Sequence, residues 1–80
     1  MVHFVYILQS KKTGKYYCGE TQDFAARLEY HNSGYSKYSK TGTPWELIKL
    51  VELLDRKAAR RLENTIKKIG IGRWLNRQTG

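Results

Sequence analysis

An α+β fold is predicted for this chain, a three-stranded antiparallel sheet flanked by helices, in the order β-β-α-β-α with a short terminal helix. Residues 4–9, 15–19 and 45–54 are β-branched, aromatic and apolar runs bounded by turn residues. Residues 24–32 and 56–69 follow helix-capping side chains, and the second stretch carries an apolar stripe at helical spacing. With 80 residues the chain sits near the bound of roughly 70–80 at which an unstapled core becomes marginal. Residues 1–80 are therefore read as a single domain, with no internal repeat, linker or low-complexity tract.

The first two runs, FVYILQ at 4–9 and KYYCG at 15–19, flank the turn chemistry KKTG at 11–14, which predicts a β-hairpin. An even-numbered loop makes paired positions sum to an odd number. Tyr6 and Tyr17 then share one face, with Gly19 beside Tyr6, whereas an odd loop without a bulge would separate them. By spacing alone the two rings read as ordinary packing side chains. Cys18 alternates to the other face and reads as a buried strand residue rather than a nucleophile.

Thr21, Gln22 and Asp23 offer cap oxygens for the helix at 24–32, with Phe24 and Leu28 turned inward and Gly34 as its stop. Arg27 and His31 stand at i, i+4 on one helical face, a fixed cation beside an imidazole, which suits an anionic phosphate. As an isolated pair they read more simply as a solvated Arg and a His favoured by the helix C-terminus. Residues 35–42 read as a polar connection in which Lys37 and Lys40 alternate with tyrosines including Tyr38. The lysines can contact phosphates and the rings can stack on unpaired bases; the plainer alternative is a solubilising loop. After the third strand Asp55 caps a helix in which Ala59, Leu62, Ile66 and Ile69 form the apolar stripe. Glu63 lies at the border of that stripe, four residues before Lys67, the spacing of a commonplace ion pair. Ile71, Trp74 and Leu75 are expected to fold back as the terminal turn or helix.

A formal net charge of +8, from 15 Lys and Arg against 7 Asp and Glu, calls for an anionic partner, and the basic and aromatic interleaving favours nucleic acid over a phospholipid surface. No run approaches the roughly 20 apolar residues of a membrane span, and the apolar start at 2–8 lacks the basic leader of a signal peptide. The single cysteine forms no internal disulfide, and no Cys/His cluster has zinc spacing. A cytoplasmic location is the expectation.

Taken in order, Val5-Tyr6, Tyr17-Cys18-Gly19, Arg27, His31-Asn32 and the helical Glu63 resemble the GIY-YIG nuclease family, over residues 4–75. The stretches at 31–34 and 43–47 look most like small stand-alone bacterial members similar to the N-terminal domain of the excinuclease C subunit. Phe4 stands for the first Gly of the first tripeptide and Cys18 for the Ile of the second. Glu20 stands where excinuclease C members carry a Lys, a reversed charge expected to repel phosphate.

The resemblance implies that the first strand is central and that the chain is a metal-dependent endonuclease hydrolysing DNA phosphodiester bonds, structure-selective in repair or recombination. It implies Mg²⁺ (or Mn²⁺) on Glu63, which is the catalytic carboxylate, and Arg27 on a non-bridging oxygen. Tyr6 would receive the proton of the attacking water, Tyr17 would orient water or phosphate, and His31 would assist. Lys37, Tyr38 and Lys40 would bind DNA, and a protein partner could supply targeting. The alternative, motivated by Glu20 and by the expected absence of a separate targeting domain, is a non-catalytic nucleic-acid-binding module of the same fold.

Overall fold

The computed structural model describes residues 1–33 and 37–79, with side chains omitted at 37–39 and 78–79. Its elements are β1 (His3–Ser10), β2 (Tyr16–Thr21), α1 (Phe24–Ser33), α2 (Lys37–Gly42), β3 (Trp45–Leu53), α3 (Arg56–Ile69) and α4 (Ile71–Thr79). The three strands form one antiparallel sheet in the order β2-β1-β3, so the first strand is central, as expected. The expected α+β class and element order hold, with one addition. The segment read as a polar connection contains the short helix α2. Its end is held because Ser10 Oγ donates to the Gly42 carbonyl at 2.6 Å, a long-range tie that no local propensity announces. Gly34, the expected stop of α1, lies outside the described residues.

The hairpin turn is organised by Ser10. Its hydroxyl accepts from the backbone N–H of Lys12 and Thr13, and Gly14 takes a φ of 77°, in the left-handed region that glycine occupies at little cost. The pairs Tyr6↔Gly19 and Leu8↔Tyr17 sum to an odd number, so Tyr6 and Tyr17 do share a face. On the other side of β1 a register shift between Ile7 and Leu8 leaves Ile48 of β3 as an extra residue.

Because β1 is central and covered on both sides, Val5, Tyr6, Ile7 and Leu8 are all buried, which explains an unbroken apolar run where a one-sided strand would alternate. Val5, Ile7 and Cys18 face α3 and α4, packing with Ala59, Ile66 and Trp74. Tyr6 and Leu8 face α1 and cluster with Trp45, Tyr17, Phe24 and Leu28. Asp55 caps α3 by accepting from Ala58 N–H at 2.8 Å, and Gly70 ends it at a φ of 106°. The expected inward stripe of α3 is realised by Ala59 and Ile66, both fully buried, with Leu62 and Ile69 beside them.

Ile66 is the largest fully buried side chain that α3 contributes. Ile66→Ala should lower the unfolding free energy by about 2–5 kcal/mol in urea denaturation, the usual cost of emptying such a site. For a domain this small that is a large share of the total.

Candidate active site

The hairpin register puts Gly19 directly opposite Tyr6, and the contact between them is close enough to dictate the residue. A Cβ at position 19 would lie 2.7 Å from Tyr6 Cζ and 3.2 Å from Tyr17 Cε1, and would collide with the Tyr6 hydroxyl. Glycine is needed here for room, since the phenol of Tyr6 lies across the β2 backbone. Tyr6 and Tyr17 have ring centroids 6.2 Å apart at 28°. Tyr6 is only 1% exposed, whereas Tyr17 is partly exposed and forms the outer wall.

Helix α1 brings in His31, which is 4% exposed. Its Nε2 lies 3.2 Å from the Tyr6 hydroxyl oxygen, and its ring meets Tyr17 edge-on at 4.6 Å. Asn32 fixes this part of α1 against β3: its Oδ1 accepts from Trp45 N–H at 2.7 Å and its Nδ2 donates to the Trp45 carbonyl at 3.3 Å. Sequence reasoning gave Asn32 no role. Its signal was adjacency to His31, but the backbone partner thirteen residues away could be found only in the fold.

Burial, reinforced by the charge of Arg27, holds the His31 imidazole below its ordinary pKa, so it is neutral near pH 7 and can accept a proton. Burial pushes the Tyr6 phenol up, Tyr17 adds to this, Arg27 opposes it, and Glu63 raises it further. The phenol is therefore protonated at rest. In the tautomer in which Nε2 accepts from it, the imidazole proton sits on Nδ1, a buried atom without a hydrogen-bond partner among the described residues.

Arg27 stands at the rim, exposed, its guanidinium carbon 6.0 Å from the Tyr30 ring centroid. It lines an open cleft of about 440 Å³ with His3, Glu20, Thr21, Gln22, Asp23 and Arg56. Glu20 is itself in contact with two neighbours. It contacts His3 Nε2 directly, and Arg56 Nε lies 3.8 Å from its other oxygen. Arg56 is the permanently charged partner, so the charge expected to repel phosphate is offset only in part. The partners, His3 at the start of the sheet and Arg56 at the start of α3, were not identifiable by spacing.

Glu63 approaches from α3, the helix packed on the face of the sheet opposite to α1, and is half-buried. Its charge reaches Tyr6 and also Cys18, whose thiol, chiefly through burial, is pushed up to about 11. Lys67 Nζ donates to Glu63 Oε2 at 2.7 Å, the i, i+4 pair the sequence allowed, and this bond raises the Lys67 pKa. Tyr6, Tyr17 and His31 are in mutual contact, with Arg27 and Glu63 in electrostatic reach of Tyr6 from either side. Lys40 is exposed on α2, while the side chains of Lys37 and Tyr38 lie outside those described.

The family model of the GIY-YIG catalytic domain matches residues 2–69. The chain belongs to the GIY-YIG family. Within it, the chain is 50% identical over 52 residues to the UPF0213 protein YsiG of Lactococcus lactis subsp. lactis, covering 62% of this chain and 48% of that one. It is 34% identical over 70 residues to the UPF0213 protein BH0048 of Halalkalibacterium halodurans, covering 86% and 73%. The matched region spans about half the length of the lactococcal relatives, 48% and 47%. The solution NMR structure of the UPF0213 protein BH0048 from Bacillus halodurans superposes with a TM-score of 0.57 at 32% identity, covering 99% of this GIY-YIG chain and 82% of that one.

Gly19→Ala should displace the Tyr6 ring and destabilise the fold by about 1–3 kcal/mol, the range for overpacking, measured by thermal or urea unfolding. The pH dependence follows from His31. Its folded pKa lies below the unfolded value of about 6.5, so folding favours the neutral ring, and that contribution is fully present above pH ~6.5. As pH falls through that value towards the folded pKa, the unfolded chain binds the proton first and stability is lost. His31→Gln should flatten the decline in unfolding free energy between about pH 7 and 5. An unchanged slope would show that His31 does not titrate as its burial requires.

Proposed function

We propose that this chain is a divalent-metal-dependent endonuclease that hydrolyses DNA phosphodiester bonds. The observation that carries the reading is the convergence of Tyr6, Tyr17 and neutral His31 in one buried cluster, with the Arg27 cation at its rim. A phosphodiester resists hydrolysis because a nucleophile must approach an anion and an alkoxide must leave, so positioning and charge neutralisation are the tasks.

The donor set fits Mg²⁺. Glu63 offers one half-buried carboxylate, and Mg²⁺ is commonly held by one or two carboxylates with water and substrate phosphate completing its shell. Among the described residues no three His, Cys, Asp or Glu side chains converge into a protein-only cage. Held by Glu63, Mg²⁺ (or Mn²⁺) would supply the positive charge that offsets the leaving alkoxide. Arg27 would hold a non-bridging oxygen as charge accumulates there. Partly exposed Tyr17 would orient the attacking water at the mouth of the cluster. Tyr6 would take the water's proton while passing its own to His31 Nε2, which lies 3.2 Å from its hydroxyl oxygen. A base that begins as a neutral phenol needs such an acceptor behind it.

Lys40, with Lys37 and Tyr38, would extend the contact along the DNA. We place the activity in structure-selective processing during repair or recombination, in the cytoplasm, with targeting supplied by a partner. Among the described residues no helix is long and apolar enough to cross a membrane. The second reading, a binding module without catalysis, draws on Glu20, whose charge the Arg56 contact offsets only in part.

Glu63→Gln should abolish Mg²⁺-dependent cleavage of branched, nicked, single-stranded or duplex DNA while leaving DNA affinity nearly intact. Uncut DNA with the parent protein in every metal and substrate would favour the binding module. Tyr6→Phe keeps the ring and its packing but removes the hydroxyl, and should slow cleavage by about 10²- to 10⁴-fold. Full activity in that variant would rule out the tyrosine as proton acceptor.

A further inference from the structure

The Lys67 ammonium occupies the Glu63 oxygen that a metal would need. Lys67 Nζ and Glu63 Oε2 are 2.7 Å apart, yet their exposures differ, 53% for the lysine side chain and 16% for the glutamate. The carboxylate is held in place by its surroundings, while the ammonium arrives from solvent on a flexible four-carbon stem. A divalent ion and an ammonium repel each other strongly at such separations, so one carboxylate oxygen does not hold both closely. Lys67 also lies within electrostatic reach of Tyr17 and Cys18, on β2, so a displaced ammonium remains beside the site. Strand β2 brings no other cation to this place, because the residue after Gly19 is Glu20, already engaged by His3 and Arg56.

We propose that Lys67 is a displaceable counter-ion of Glu63 that, once displaced by a divalent cation, contacts a DNA phosphate beside Tyr17. The inference rests on the reading of Glu63 as the metal ligand. At rest, Lys67 keeps a half-buried carboxylate neutralised. In the loaded protein the same ammonium turns to the substrate.

The test uses Mn²⁺ binding to the protein without DNA, followed by calorimetry or the electron paramagnetic resonance of the free ion. Lys67→Met removes the competing charge at nearly constant shape and should bind Mn²⁺ about twofold more tightly than the parent, the factor to which an exposed i, i+4 pair corresponds. In Ca²⁺, under conditions without detectable cleavage, Lys67→Met should bind a short duplex more weakly, with a log–log salt slope smaller by about 0.9, and Lys67→Arg should restore the slope. Equal Mn²⁺ affinity for the parent and Lys67→Met, with binding abolished in Glu63→Gln, overturns the exchange while sparing Glu63 as ligand. An unchanged salt slope overturns the phosphate contact. Mn²⁺ binding that survives Glu63→Gln overturns the assignment of Glu63, and this inference with it.

Discussion

The rest of the site depends on the passage of the Tyr6 phenol across Gly19. It joins three requirements. Strand β1 must be central, so that a ring on it can reach β2; the hairpin loop must hold an even number of residues, so that Tyr6 and Tyr17 emerge on one face; and position 19 must lack a Cβ. Ser10 secures the second requirement through its bonds to the turn, and at the same time ties the turn to α2 through the Gly42 carbonyl. A change in the turn would therefore be felt in the tyrosine cluster, because a shift of one residue in register would carry Tyr17 to the opposite face.

Helix α1 completes the cluster by a different kind of constraint. Its apolar contribution is small, Phe24 and Leu28 being only partly buried, and His31 is its buried residue. Ring contacts to Tyr6 and Tyr17, together with the paired Asn32 bonds to Trp45, hold the helix in place of a broad apolar face. The cost is an imidazole Nδ1 buried without a hydrogen-bond partner among the described residues, a group of the kind that concentrates at functional sites. Helix α3, by contrast, is held by Ala59 and Ile66 in the larger cluster, and so Glu63 at its border stands on a rigid support.

The strands and both longer helices were legible because each had a local cause: aromatic runs and a glycine turn for the hairpin, Asp23 and Asp55 as caps, an apolar stripe for α3. Helix α2 was not, since its ordering involves a long-range bond to Ser10 in a stretch with little apolar content. The tyrosine pair was legible by parity, and the pairing of Arg27 with His31 by helical spacing. What the sequence did not hold was sign and environment. Glu20 read as a bare charge because its contacts, seventeen positions before it and thirty-six after it, meet it only in three dimensions. Nor could spacing show that Tyr6 would be sealed while Tyr17 stays partly exposed.

That burial sets the direction of the chemistry. A phenolate at Tyr6 is opposed by desolvation, by Tyr17 and by Glu63, with Arg27 the one favourable charge among the named influences. Desolvation is fixed by packing and cannot be relaxed without opening the cluster. The Glu63 contribution is adjustable, because positive charge brought to that carboxylate weakens its field at the phenol. Lys67 does this at rest with a single charge, and the phenol still stays protonated. A second positive charge at Glu63 would act in the same sense, and in the proposed reaction a water proton arriving at Tyr6 would be matched by one leaving for His31, so that no full phenolate forms. Under the proposed function, cation binding at Glu63 and proton transfer at Tyr6 would thereby be coupled through the field at the phenol, with Gly19 leaving the space in which that phenol lies.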